Sequence, residues 1–214
     1  MSYVDKGISL LLKKLHLQGK KFIKSEEIKS YCSLLNLSYE KVIRYYMRMK
    51  YIIRIFKGIF YIKSWEEIKL ESFNYSNFEL VSKGLELKGV KNWYFGLYTA
   101  LKLNNTTHEY FTVDYVITDS LYRNKPITIN EHKFVFHKLK PSLLNFGIIE
   151  NNYRYSDLEK TILDFIYLWI YNSKPKKRIL MNISDYAKNL SESKIRDYVH
   201  WYPKSVKEIV KEII

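Results

Sequence analysis

Two stretches of this chain hold residue types suited to chemistry on phosphates. The first, residues 37–63, reads LSYEKVIRYYMRMKYIIRIFKGIFYIK. It places Lys41, Arg44, Arg48, Lys50, Arg54, Lys57 and Lys63 among tyrosines, with Glu40 as its one acid. Cations at that density neutralise phosphates, and an arginine fork can read guanine edges once a helix enters the major groove. The second is Glu131-His132-Lys133, which has the E-x-K form of Mg²⁺-dependent nucleases, with Asp114 or Asp119 upstream as a further carboxylate. That form recurs by chance in a lysine-rich chain, and no apolar strand leads cleanly into Glu131. An exposed turn between two strands is the plainer reading. His16, His108, His132, His137 and His200 show no metal-ligand spacing, and no Gly-rich phosphate loop, CxxC or G-x-S-x-G motif is present. Binding is expected rather than catalysis, with no cofactor.

The charge distribution supports the first stretch. Residues 1–63 hold 14 Lys and Arg against 4 Asp and Glu, whereas residues 64–214 hold 22 against 18. A basic N-terminal part beside a nearly balanced remainder places a polyanion partner at the N-terminal part. The chain is 47% hydrophobic, enough for a core, and its single Cys32 suits a reducing compartment. The N-terminus has too short an apolar run for a secretory signal, and the most apolar stretch, TILDFIYLWIY, is about half a membrane span and contains Asp164. The expectation is a cytoplasmic protein with no membrane partner.

The elements that must position these residues follow from periodicity. Val4, Ile8, Leu11 and Leu15 make the stripe of a helix over 4–17, ended by Gly19. KFIK reads as a short strand. Ser25 then reads as an N-cap with Glu26 and Glu27 in the first turn, and Ser38 caps a third helix running to about Lys50 after a break at 36–38. On that helix Lys41, Arg44, Tyr45 and Arg48 fall within one arc of about 100°, and Tyr39, Val42, Ile43, Tyr46 and Met47 face the core. A solvated helix face usually mixes signs; this one does not. YIIRIF and IFYIK flank Lys57-Gly58 as a hairpin. Helix, strand, helix, turn, helix, hairpin is the order of a winged helix-turn-helix. The expected DNA-contacting set is therefore Ser25, Ser38, Lys41, Arg44, Tyr45 and Arg48, with Arg54 and Lys57 on phosphate from the wing. The pattern predicts such a domain over 1–66 and an α+β domain over 67–214, the whole being α+β. In the second part Ser64/Glu67, Ser76/Glu79, Ser156/Glu159 and Ser205/Glu208 have capping-box spacing. They predict helices over 64–70, 76–86, 156–171 and 203–214. DYVITD and KPITINEHKFVFHKL alternate as strands.

The second part also resembles a family. Tyr94-Phe95-Gly96, Thr99-Ala100-Leu101, a strand ending Tyr115-Val116-Ile117-Thr118, and Ser156-Asp157-Leu158-Glu159-Lys160-Thr161-Ile162-Leu163-Asp164 follow one another behind the winged helix. Together they resemble the AbiEi-type antitoxins, transcriptional regulators of viral defence systems. The chain departs from that pattern at Gly96-Leu97, where the family has paired glycines, at Lys160, where it has arginine, and at Asn104-Asn105, where it has a loop glycine. The resemblance implies the antitoxin of a type IV toxin–antitoxin pair. Its winged helix would bind inverted repeats in its own promoter and repress it, and its second domain would counteract a nucleotidyltransferase toxin without a stable complex. It implies a role there for Gly96, Glu159, Lys160 and Asp164. Read physically, Gly96 marks a close backbone approach and Ala100 tight helix packing. Glu159 is the capping partner of Ser156, and Lys160 pairs with Asp164 across one helical turn. A plain winged-helix repressor with a ligand-sensing or dimerising second domain is the alternative reading.

Overall fold

Amphipathic spacing builds the first of two units, residues 1–89 with 129–131. The computed structural model describes residues 3–214. Helix α1 (Tyr3–Leu17) lays Ile8, Leu11 and Leu15 into the core; the side chain of Val4, expected on the same stripe, lies outside the described residues. Strand β1 (Phe22–Lys24), helices α2 (Ser25–Leu34) and α3 (Tyr39–Arg48), and the hairpin β2 (Ile52–Phe56) and β3 (Ile59–Ile62) follow in the expected order. The strands form an antiparallel sheet in the order β1-β3-β2. At the hairpin tip Gly58 has φ +79°, a left-handed conformation that glycine adopts without cost. Its missing side chain matters too, because a Cβ there would stand 2.8 Å from Ser25 Oγ.

Three expectations change in this unit. Ser25 is the first helical residue rather than the cap: the cap position is Lys24, and Ser25 gives its N–H to the Gly58 carbonyl and its hydroxyl to Glu26. Met47 is exposed, since it lies only about 60° around the helix from Arg44 and falls on the flank of the buried stripe. The boundary expected at 66/67 falls inside the unit. Helices α4 (Trp65–Lys69) and α5 (Asn77–Leu87) start on the capping boxes Ser64/Glu67 and Ser76/Glu79 and belong to it. Helix α5 packs on β2, where a Cβ on Gly84 would lie 2.5 Å from Ile55 and 2.7 Å from Phe56. The three-helix core leaves those two β2 side chains uncovered, so the sheet needs a further layer.

The second unit, residues 90–128 and 132–214, is α+β as expected. Its strands are β4 (Trp93–Phe95), β5 (Val113–Thr118), β6 (Arg123–Ile129), β7 (His132–Lys138), β8 (Ile148–Glu150) and β9 (Arg154–Ser156), after α6 (Leu97–Leu103) between the first two. The sheet order is β6-β7-β5-β4-β9-β8, with β5 parallel to β7 and β4 parallel to β9. Helix α7 (Leu158–Tyr171) is buried on nearly all sides, and α8 (Lys176–Ile183), α9 (Glu192–Val199) and α10 (Lys204–Val210) follow it. Ile162, Leu163, Phe165 and Ile166 of α7 share one core with Tyr94, Leu97, Leu101 and Ile117 and with Ile179, Ile195 and Val206 of the later helices.

Two of the four capping boxes are replaced. Asp157, not Ser156, caps α7 by accepting from Lys160 N at 2.9 Å, and Ser156 Oγ instead meets Thr161 Oγ1 at 2.7 Å. Pro203, with φ −59° and ψ 160°, precedes α10 and puts Ser205 inside the first turn. The departures from the family pattern have physical counterparts. A Cβ on Gly96 would lie 2.5 Å from Ile117, so the close approach read there is real. Leu97 and Asn105 have φ of 53° and 55°, the left-handed region that glycine would occupy freely. Asparagine tolerates that region, and Leu97 offsets its strain by burying its side chain in the core. No helix among the described residues is long and apolar enough to cross a membrane.

Candidate functional site

Helix α3 is the centre of the basic surface. Ser38 caps it by accepting from Lys41 N, and Val42, Ile43 and Tyr46 anchor its inner face, with Tyr46 donating to the Ile8 carbonyl at 2.7 Å. Lys41, Arg44 and Arg48 are exposed on the other face and Tyr45 is half-buried beside them. The Arg48 guanidinium lies 5.7 Å from the centre of the Tyr45 ring, which holds it along the helix and leaves its fork available. On the hairpin Arg54 and Lys57 are exposed, with Arg54 5.6 Å over the Phe60 ring. Ser25 is buried against the hairpin turn, a scaffolding position rather than a contacting one. With Glu40 as the one acid on α3, this surface offers several cations on a core-anchored helix and a short loop that make no ion pair among the described residues, the chemistry of phosphate neutralisation and base-edge reading.

Lys63, the last cation of the opening stretch, is not part of that surface. It is 3% exposed, with its ammonium 4.1 Å over the Phe73 ring. Burial lowers its pKa, and nearby Glu67 partly offsets the shift. Glu67 is itself buried and accepts from Tyr61 OH at 2.7 Å, Asn74 N at 2.7 Å and Ser64 N at 2.8 Å. Burial alone would raise the Glu67 pKa; these donors outweigh it and hold the carboxyl below its ordinary range. The carboxylate thereby ties β3 to α4, behind the wing. The S-x-x-E spacing revealed the cap but not the Tyr61 and Asn74 partners.

In the second unit two of the residues singled out by the resemblance, Lys160 and Asp164, meet inside the domain. Lys160 and Asp164 are both 0% exposed and meet at 2.5 Å. The remaining two ammonium protons of Lys160 go to Tyr94 OH and Tyr202 OH, each at 2.8 Å. Those hydroxyls in turn donate to Asp164, Tyr94 at 2.7 Å and Tyr202 at 2.8 Å. Every donor and acceptor is thus used, as a buried charge pair requires. Burial lowers the Lys160 pKa against the opposing pull of Asp164, and burial also pushes both tyrosines well above their ordinary range. Glu159, expected as the Ser156 capping partner, instead accepts from Ser191 N at 2.8 Å, at the N-terminus of α9. Tyr94 and the Lys160–Asp164 pair were visible in the sequence; Tyr202, in the segment His-Trp-Tyr-Pro, carried no signal. None of these side chains reaches the surface, so they fix the shape of the domain and cannot themselves form a contacting face.

The carboxylates of the E-x-K reading have other partners. Asp114 accepts from Thr99 Oγ1 at 2.8 Å and lies 2.6 Å from His132 Nε2, and Asp119 accepts from Asn92 at 2.7 Å. Glu131 stands at the β6–β7 turn, where it and Asn130 have φ of 66° and 48°, as in a tight two-residue hairpin. Among the described residues no group of three or more His, Cys, Asp or Glu could hold a metal ion.

No family model matches the chain, and no curated protein matches it. The fold is similar to that in the crystal structure of the RV2827C protein from Mycobacterium tuberculosis, with a TM-score of 0.55, 97% of this chain and 76% of that chain covered, and 8% identity. At that identity the likeness concerns the fold alone.

Proposed function

We propose that this chain is a DNA-binding transcriptional regulator whose first unit is a winged helix-turn-helix. Helix α3 would lie in the major groove and the β2–β3 turn on the neighbouring backbone. One observation carries the reading: the exposed face of α3 presents Lys41, Arg44 and Arg48 against a single acid, Glu40, at its first turn, and none of the three cations is held in an ion pair among the described residues, while the opposite face is locked into the core by Val42, Ile43 and Tyr46. Arg44 and Arg48 read base edges, and Lys41, Arg54 and Lys57 neutralise phosphates. The second unit serves as the antitoxin domain of a type IV pair in the cytoplasm, acting against a nucleotidyltransferase toxin. What supports this part is the resemblance to AbiEi-type antitoxins, whose separated motif stretches here supply Tyr94, Lys160 and Asp164 to one network.

Fluorescence anisotropy tests the DNA part. A labelled duplex from the chain's own upstream region should bind more tightly than a shuffled duplex, with log K falling linearly in log salt. Equal affinity for both duplexes at every salt concentration rejects it. Growth assays test the antitoxin part. The full-length Arg44→Ala/Arg48→Ala variant should lose promoter repression yet still rescue cells that express the nucleotidyltransferase encoded alongside. Rescue that disappears with repression leaves a plain repressor.

A further inference from the structure

The second unit carries a pocket of ≈530 Å³, lined by the end of β7, residues 139–141, the last turn of α7 and Tyr122. Small-molecule sites typically enclose about 300–1,000 Å³. The lining combines two features that a purely structural cleft does not need. Lys138 and Lys140 face it with no acid among the lining residues. Tyr122 and Tyr171, also in the lining, are 62% and 79% exposed. Large rings left in water beside a cavity gain by being covered with a flat partner, and unopposed ammonium groups gain by meeting an anion. Leu139 supplies a buried apolar floor, and the Asn172 amide in the lining can both donate and accept. The carbonyl end of α7 lies at this side as well, and its partial negative charge suits exocyclic amino donors rather than a second anion.

We propose that this pocket binds a nucleoside phosphate, with its base against the tyrosine rings, its phosphates on Lys138 and Lys140, and its base edge at Asn172. The pairing of a π surface with two cations selects this class: a bare phosphate would leave the rings uncovered, and a neutral aromatic would leave the lysines unpaired. The proposal stands independently of DNA binding by α3.

Isothermal titration calorimetry on the full chain, in EDTA-containing buffer, tests it with AMP, ADP, ATP, GTP, adenosine, pyrophosphate and a ten-residue oligothymidylate. At least one nucleotide should bind with Kd of about 1–100 μM, and adenosine and pyrophosphate should each bind at least about tenfold more weakly. Lys140→Ala and Tyr171→Ala should each weaken that nucleotide by about five- to tenfold. Both side chains are exposed, so an unchanged circular dichroism spectrum and melting midpoint should accompany the loss. The proposal is overturned if no nucleotide binds at about 5 mM, if pyrophosphate binds as tightly as ADP, or if neither substitution changes nucleotide affinity. Binding of the oligonucleotide in the absence of any mononucleotide binding also overturns it, in favour of a strand-binding groove.

Discussion

Replacing Asp164 by alanine removes the acceptor of three buried donors at once: Lys160 Nζ at 2.5 Å, Tyr94 OH at 2.7 Å and Tyr202 OH at 2.8 Å. Lys160 is 0% exposed, so its ammonium cannot turn to water. Breaking one side of a buried ion pair costs about 3–5 kcal/mol, because an uncompensated charge stays behind. The two tyrosine oxygens still accept from Lys160, which keeps the expected loss near the middle of that range, about 4 kcal/mol. At about 2–4 °C per kcal/mol for a chain of this size, the melting midpoint should fall by about 8–16 °C. Urea unfolding followed by circular dichroism at pH 7 gives the free energy directly. A second variant, Lys160→Met/Asp164→Leu, removes both charges and should recover part of the loss, since an apolar replacement of a buried pair is often neutral, while the Tyr94 and Tyr202 hydroxyls left without these partners keep the recovery incomplete. A single-variant loss below about 1 kcal/mol at unchanged m would refute the reasoning. So would a double variant as unstable as the single one.

The remaining predictions concern the first unit. Glu67 has a folded pKa held below the ordinary 4.5 by Tyr61 and the N–H groups of Asn74 and Ser64, despite burial. Its contribution is therefore fully present above that unfolded value and is lost as pH falls through the folded one. The urea midpoint of the wild type should drop across that acid window, and Glu67→Gln should flatten the drop; an identical acid limb in both proteins counts against the carboxylate. Gly84→Ala should cost about 1–3 kcal/mol through overpacking against Ile55 and Phe56, although alanine is the better helix former. A higher melting midpoint in that variant would show that α5 does not sit on β2 as described. Lys57→Ala should weaken all duplexes about equally and lower the salt slope by about one. Loss confined to one sequence would make Lys57 a base reader.

The first three helices and the hairpin were legible because each face reports a single partner: apolar residues mark the inner stripe, and the break at 36–38 separates two periodic runs. Ser25 misled by one residue, because a serine before two glutamates looks the same whether its hydroxyl caps the helix or its N–H is taken by a distant hairpin. The boundary after residue 66 was misplaced for a related reason. Helix α5 is amphipathic in sequence, but nothing local says that its apolar face serves the preceding sheet rather than a following core. In the second unit, Ser156 and Asp157 compete as caps at adjacent positions, and only the three-dimensional setting, with Thr161 taking the Ser156 hydroxyl, decides for Asp157. The Lys160–Asp164 pair was readable from spacing, whereas its burial was not: i,i+4 pairs are usually solvated, and Tyr94 and Tyr202 lie 66 and 42 residues away from Lys160 along the chain. Helices α8 and α9 went unread, since their largely polar sequences show only Ile179, Ile183 and Ile195 as fully buried anchors.

Base readout by α3 is the central claim, and single-base-substituted duplexes test it most directly. Affinities of the wild type, Arg44→Ala and Arg48→Ala should be measured at one salt concentration on the preferred upstream duplex and on its point variants. Each arginine substitution should cost about 1–3 kcal/mol on the preferred duplex and flatten the preference at one base position, with folding unchanged. If both variants bind every duplex as the wild type does, while a Tyr39 substitution abolishes binding without unfolding the protein, α3 presents the opposite face and the account is wrong.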